Sequence, residues 1–95
     1  MAAYLIADVE VTDPKGYEEY RQRVPALIAA HGGRYLARGG AVEVLEGDWM
    51  PRRTVILEFP SRDDLLAFYR DAEYQPLIKI RQAASNSRLV MIDGI

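Results

Sequence analysis

The chain lacks cysteine altogether and contains a single histidine, His31, among its 95 residues. Without cysteine it has no disulfide framework, no thiolate zinc site, no iron–sulfur cluster and no thiol nucleophile. One histidine needs carboxylate partners to hold a metal ion, and no cluster with ligand spacing is evident. A haem role is disfavoured because this histidine also fits a helix cap. We therefore expect no metal and no cofactor.

Long apolar runs and basic clusters are also missing. No stretch approaches the ~20 residues that a membrane-spanning helix needs, and the N-terminus does not resemble a signal peptide. The formal charge is −2, and the basic residues are scattered along the chain. Nucleic-acid binding usually needs a basic stripe that displaces counterions from phosphates. We therefore expect a cytoplasmic protein that binds neither membranes nor nucleic acids.

The pattern that is present predicts one small domain over residues 1–95, since domains run to roughly 100–200 residues. Alternating apolar residues predict strands, and apolar residues at three- and four-residue spacings predict helices. The predicted strand segments are Ala3–Val11, Arg34–Arg38, Ala41–Glu46, Arg53–Phe59 and Arg88–Ile92. The first predicted helix runs from Pro14 to about Ala30. A second follows Ser61 and is interrupted by Pro76, so that a further helical piece starts near Glu73–Pro76 and runs to about Ala84.

Gly39-Gly40 separates two of these strand segments as either a tight turn or a bulge. Each segment is short, so we favour a bulge within one long bent strand. The order is then strand, helix, strand, strand, helix, strand. This is the β-α-β-β-α-β or ferredoxin-like α+β pattern, in which helices cover one face of a four-stranded antiparallel sheet.

The second face of this sheet carries more apolar residues than a face in contact with water. Ile6 and Ile56 lie opposite the stronger apolar rows, and the last strand is apolar on both sides. A sheet with one solvated face would alternate more cleanly. We therefore predict a homodimer packed sheet to sheet around a two-fold axis.

Two residues are candidates for moving protons. Asp8 shares a strand face with Glu10, and paired carboxylates can split their pKa values for acid–base work. The alternative, which we favour, is that these carboxylates mark the exposed end of the strand or pair with arginine across a subunit interface. His31 could carry a proton near neutral pH, but its place at a predicted helix C-terminus favours a capping role.

Four further residues are candidates for binding a ligand. Tyr74 and Arg81 share one face of the last helical piece, and Tyr69 lies near them in sequence. Two phenols and a guanidinium around an apolar surface could bind a small acidic or aromatic molecule; alternatively, the tyrosines complete the core. Trp49 stands in a loop, where it could be a ligand wall, an interface anchor or a lid over the core edge.

Several motifs together resemble a known family over essentially the whole chain. They are His31-Gly32-Gly33-Arg34-Tyr35-Leu36-Ala37-Arg38-Gly39-Gly40, Leu45-Glu46-Gly47-Asp48-Trp49, Glu58-Phe59-Pro60-Ser61, and Tyr69 with Glu73-Tyr74-Gln75 and Arg81. The chain is similar to the domain-of-unknown-function family 1330. That resemblance implies a dimeric α+β barrel, in which the sheets of two subunits form a barrel. It also implies a small molecule held between sheet and helices.

The wider group includes cofactor-free monooxygenases, isomerases and haem enzymes, but the family itself has no settled activity. The resemblance therefore implies a shape rather than a reaction. Two functions remain open. The first is a small-molecule-binding protein or cofactor-independent enzyme, with Asp8 or His31 moving protons and Arg81 holding an anionic group. The second is a non-catalytic dimeric module, because no catalytic triad, metal cluster or nucleotide loop is present.

Overall fold

The computed structural model describes all residues 1–95. It consists of a four-stranded sheet with helices on one face. Its elements are β1 (Ala3–Val11), α1 (Pro14–Ala30), β2 (Arg34–Arg38), β3 (Thr54–Phe59), α2 (Arg62–Arg70), α3 (Tyr74–Ala84) and β4 (Ser85–Asp93). The strand order is β2-β3-β1-β4, and every neighbouring pair is antiparallel. The ferredoxin-like α+β fold predicted from the sequence is therefore confirmed.

One predicted strand segment is wrong. The chain leaves the sheet after Arg38, and residues 39–53 form an irregular connection to β3 instead of a strand over Ala41–Glu46. Gly39 has a φ of +70°, and this left-handed conformation does not continue a strand. The bulge occurs earlier, between Tyr35 and Ala37. At the other end of the chain, β4 is longer than predicted because it pairs with β1 along its full length.

The helix starts follow their capping residues. The Asp13 carboxylate accepts a hydrogen bond from the Gly16 backbone N–H at 3.1 Å, directly before α1. Ser61 Oγ accepts from the Asp64 backbone N–H at 3.1 Å at the start of α2. Pro25 lies within α1, which nevertheless continues to Ala30. None of the three helices has the length and apolar character needed to span a membrane.

The core lies between the helices and one face of the sheet. Along β1 the side chains alternate, so that Leu5, Ala7 and Val9 are buried beneath the helices. Aromatic rings fill the centre of this layer. Phe68 stacks on Phe59 with ring centroids 5.3 Å apart and contacts Tyr74 at 4.4 Å. These contacts join β3, α2 and α3 into one packed unit.

The opposite face of the sheet, here named the open face, is covered by no element of the chain. Its centre is apolar and consists of Tyr4, Ile6, Ile56, Val90 and Ile92. Val90 and Ile92 are 62% and 56% exposed. Ion pairs border this centre, with Arg88 to Asp8 at 3.2 Å and Arg34 to Glu58 at 2.7 Å. An apolar centre with a polar rim is typical of a protein interface.

Gly33, between α1 and β2, permits a close approach that no larger residue allows. A Cβ atom there would lie 2.6 Å from Phe59 and 2.8 Å from Ile28, both buried. We expect Gly33→Ala to lower the free energy of unfolding by about 1–3 kcal/mol, since overpacking forces core side chains to move. Urea denaturation measures the change. Gly40→Ala is the control, because a Cβ at Gly40 has no atom within 4 Å; equal effects of the two substitutions would contradict the packing argument.

Candidate functional site

A cavity of about 340 Å³ lies between the sheet and the helices. Its walls are the core-facing side chains of β1 and β3 together with the buried face of α1, including Leu5, Leu57 and Val24. The polar groups of its lining include four phenols and four guanidinium groups, together with Glu18 and Gln22: Tyr17, Tyr20, Tyr35, Tyr74, Arg21, Arg38, Arg53 and Arg81. A cavity of this size, lined by hydrophobic residues and a few converging polar groups, is the usual form of a small-molecule site.

Three of these side chains form a buried hydrogen-bonded group, here named the phenol–guanidinium cluster: Tyr20 of α1 with Tyr74 and Arg81 of α3. Arg81 Nη1 donates to the Tyr74 hydroxyl at 2.7 Å and lies 3.5 Å from the Tyr20 hydroxyl. The two hydroxyl oxygens are 2.8 Å apart. The positions follow from sequence, because Tyr74 and Arg81 are seven residues apart and so share one helix face.

The cluster contains more donors than acceptors. A guanidinium has five N–H donors and no acceptor, and each phenol has one O–H donor. The two phenols use one hydroxyl hydrogen between them, so the other has no partner within the cluster. Arg81 Nε is buried without a hydrogen-bond partner. Arg81 is only 3% exposed, yet none of the chain's ion pairs includes it.

Burial favours the neutral form of three phenols of the cavity, those of Tyr17, Tyr35 and Tyr74. Burial raises the pKa of Tyr74 far above the ordinary value for a phenol, and it also raises the pKa values of Tyr17 and Tyr35. The one carboxylate in the lining is Glu18, whose pKa is lowered by its hydrogen bond with Arg21. The cavity therefore offers donors and positive charge, which suit the binding of an anion better than proton abstraction.

The ligand-binding residues predicted from the sequence lie at different depths. Tyr74 and Arg81 line the cavity, as described. Tyr69 is outside the lining but contacts Tyr74 edge-on, with ring centroids 5.8 Å apart. Trp49 belongs to the connection 39–53, where it is 69% exposed and away from the cavity. The structure therefore brings Tyr69, Tyr74 and Arg81 together and leaves Trp49 apart.

Neither candidate for moving protons lines the cavity. Asp8 is on the open face, where it accepts from the Arg52 backbone N–H at 2.8 Å and from Arg88. These hydrogen bonds hold its pKa below the ordinary value. His31 ends α1 through its backbone N–H, while its Nε2 lies 2.8 Å from an Asp71 carboxylate oxygen. No group of three or more His, Asp or Glu side chains has an arrangement that could hold a metal.

Sequence reasoning missed Tyr17, Tyr20, Tyr35 and Arg53 as cavity residues. The tyrosines of α1 fit the apolar stripe of that helix, which gives no indication that their hydroxyls meet a cavity. Arg38 and Arg53 stand at the two ends of the irregular connection, far apart in sequence and adjacent only because β2 pairs with β3. One signal for the phenol–guanidinium cluster was available in the sequence. A tyrosine lies on the apolar face of one predicted helix, and an arginine lies on the apolar face of another.

The hydrogen bond between His31 and Asp71 predicts a pH effect on stability. The hydrogen bond from His31, together with the Glu73 backbone N–H, holds the pKa of Asp71 below its ordinary value. A lowered carboxyl pKa contributes stability above the unfolded value near 4 and loses it as the pH falls through the folded value. We expect Asp71→Asn to unfold at lower urea concentration than the wild type at pH 7, with a difference that shrinks below about pH 4.

Urea midpoints measured across that pH range check the prediction. Glu43→Gln is the control, because Glu43 is an exposed carboxylate without an ion pair. A difference between Asp71→Asn and the wild type that stayed constant with pH would contradict the linkage.

Comparisons with solved structures show the same fold in proteins of low identity. A protein of unknown function from Rhodopseudomonas palustris is 23% identical with a TM-score of 0.79, over 99% of this chain and 82% of that one. A dimeric ferredoxin-like protein of unknown function from Thermobifida fusca is 18% identical with a TM-score of 0.67, over 99% and 92%. The cofactor-independent oxygenase SnoaB from Streptomyces nogalater is 13% identical with a TM-score of 0.66, over 99% and 93%.

The comparison with curated proteins gives no match. A family model, in contrast, matches residues 2–95, nearly the whole chain. The residues quoted above for the resemblance fall within that span. The chain belongs to the family described as Domain of unknown function (DUF1330).

Proposed function

We propose that this protein binds a small anionic molecule in the cavity, with an acidic group of the ligand at the phenol–guanidinium cluster. The observation that carries the proposal is Arg81, a buried cation with no carboxylate partner and with an unpaired Nε. A buried charge without a counterion is costly to stability. A carboxylate or enolate would supply the missing counterion and would accept the donors that the cluster leaves free.

The same donors would stabilise negative charge that develops on a substrate oxygen during a reaction. A cofactor-independent enzyme is therefore compatible with the site. SnoaB, which shares the fold, is described as a cofactor-independent oxygenase. At 13% identity this similarity supports the fold alone, so binding of an anion is the function that we propose and catalysis is a possible use of it.

The open face supports a homodimer of this single cytoplasmic domain as the functional unit. Its apolar centre, bordered by ion pairs, has the composition of an interface rather than of a solvated sheet. A structural neighbour from Thermobifida fusca is described as a dimeric ferredoxin-like protein. In such an arrangement the two cavities face away from the contact between the sheets.

Burial of the Arg81 cation costs stability. Replacing Arg81 by an apolar residue should therefore preserve the free energy of unfolding while it abolishes binding of the anion. Arg81→Met keeps an unbranched apolar stem and removes the guanidinium. We expect its free energy of unfolding, without ligand, to stay within about 1 kcal/mol of the wild type or to exceed it. Native mass spectrometry, repeated under denaturing conditions, should show a small anion leaving the wild type and no such mass in the variant.

Arg70→Met is the matched control, because Arg70 is exposed, unpaired and outside the cavity. The non-catalytic dimeric module is the alternative outcome. It would be supported if Arg81→Met lost several kcal/mol of stability while neither protein carried a ligand, because Arg81 would then serve the fold itself.

The dimer has its own test. Val90 is 62% exposed and lies opposite Ile6 at the centre of the open face. We expect Val90→Glu to convert a dimeric wild type to a monomer in light scattering, because the new carboxylate would be buried without a partner. Leu45→Glu is the control, since Leu45 is 86% exposed in the connection 39–53. A monomeric wild type at micromolar concentration would contradict the dimer.

A further inference from the structure

The arginines of this chain divide into two groups. Six of the ten pair with a carboxylate: Arg21, Arg23, Arg34, Arg52, Arg62 and Arg88. The other four are Arg38, Arg53, Arg70 and Arg81. Three of these four, all except Arg70, line the same cavity. Most of the unpaired arginines of the protein therefore lie around one cavity.

These three arginines stand at two separate depths. Arg81 is 3% exposed and belongs to the inner cluster on α3. Arg38 ends β2, and its guanidinium lies over the Tyr35 ring at 4.6 Å. Arg53 directly precedes β3, and Gly39 lies against its side chain. Arg38 is exposed and Arg53 half-buried, so this second pair is at the mouth of the cavity.

The Tyr17 phenol, which also lines the cavity, is affected by both groups. Burial raises the pKa of Tyr17, while the positive charges of Arg53 and Arg81 oppose that rise. The rest of the lining is largely apolar and includes Val24, Val55 and Leu57. The only carboxylate in the lining, Glu18, is already paired with Arg21 at 2.8 Å. Nothing in the cavity therefore neutralises either cationic end.

We infer that the ligand is a diacid: an apolar body with one acidic group at Arg81 and a second at Arg38 and Arg53. This inference rests on the proposed function, because it assumes the anion site at Arg81. It goes further in one respect: an apolar molecule with a single acidic group bound at Arg81 leaves Arg38 and Arg53 without an anionic partner. Aromatic and branched dicarboxylic acids have this distribution of charge and apolar surface, and charge-assisted bonds to both ends fix the ligand's direction.

The experiment compares two probes that differ by one carboxylate, 2-naphthoate and naphthalene-2,6-dicarboxylate. Isothermal titration calorimetry measures their dissociation constants on the wild type, on Arg81→Met, on the double variant Arg38→Gln/Arg53→Gln, and on Arg70→Gln. The last of these removes the one unpaired arginine outside the cavity and so controls for the loss of one positive charge. Urea denaturation of each variant reports whether the protein is folded.

We expect the wild type and Arg70→Gln to bind the dicarboxylate about tenfold more tightly than the monocarboxylate. The double variant should bind both probes with similar affinity, because it keeps Arg81. Arg81→Met should weaken both. Equal affinities for the two probes on the wild type would overturn the diacid inference and leave the anion site standing. Binding unaffected by Arg81→Met, or no binding of either probe at millimolar concentration, would overturn the anion site and the diacid inference together.

Discussion

The stack of Phe59, Phe68 and Tyr74 is the contact on which the other features of this structure depend. It joins the centre of the sheet to α2 and α3, and its rings are among the most deeply buried side chains of the chain. Tyr74 is both the last ring of this stack and the hydroxyl that accepts from Arg81. The packing that stabilises the fold therefore also fixes the phenol–guanidinium cluster, and the site is built on rigid elements rather than on a loop.

A chain of 95 residues has little stability to lose, since small domains bury a smaller fraction of their surface. Keeping an unpaired guanidinium and an open cavity inside such a core works against folding. The arginines elsewhere do not share this disadvantage, because most of them are exposed and paired. The contrast between six paired surface arginines and one buried, unpaired Arg81 is the feature that the proposed anion site would explain.

The fold was predictable because its signals are local and agree with one another. The alternation of apolar and polar residues predicted β1, and the capping residues Asp13 and Ser61 predicted the starts of α1 and α2. The strand expected over Ala41–Glu46 failed because alternation in a short segment does not reveal the left-handed Gly39 before it. The cavity was only half predictable: Tyr74 and Arg81 are neighbours on one helix, whereas Arg38 and Arg53 meet through strand pairing that the sequence does not display.

The alternation of side chains along the strands keeps the cavity and the open face on opposite sides of the sheet. Asp8 and Ile6 point to the open face while Ala7 and Leu5 line the cavity. A carboxylate such as Asp8 can therefore be prominent in the sequence pattern and still lie on the opposite side of the sheet from the cavity. A substitution on one face leaves the side chains of the other in place, so the proposed ligand site and the proposed dimer contact can change independently.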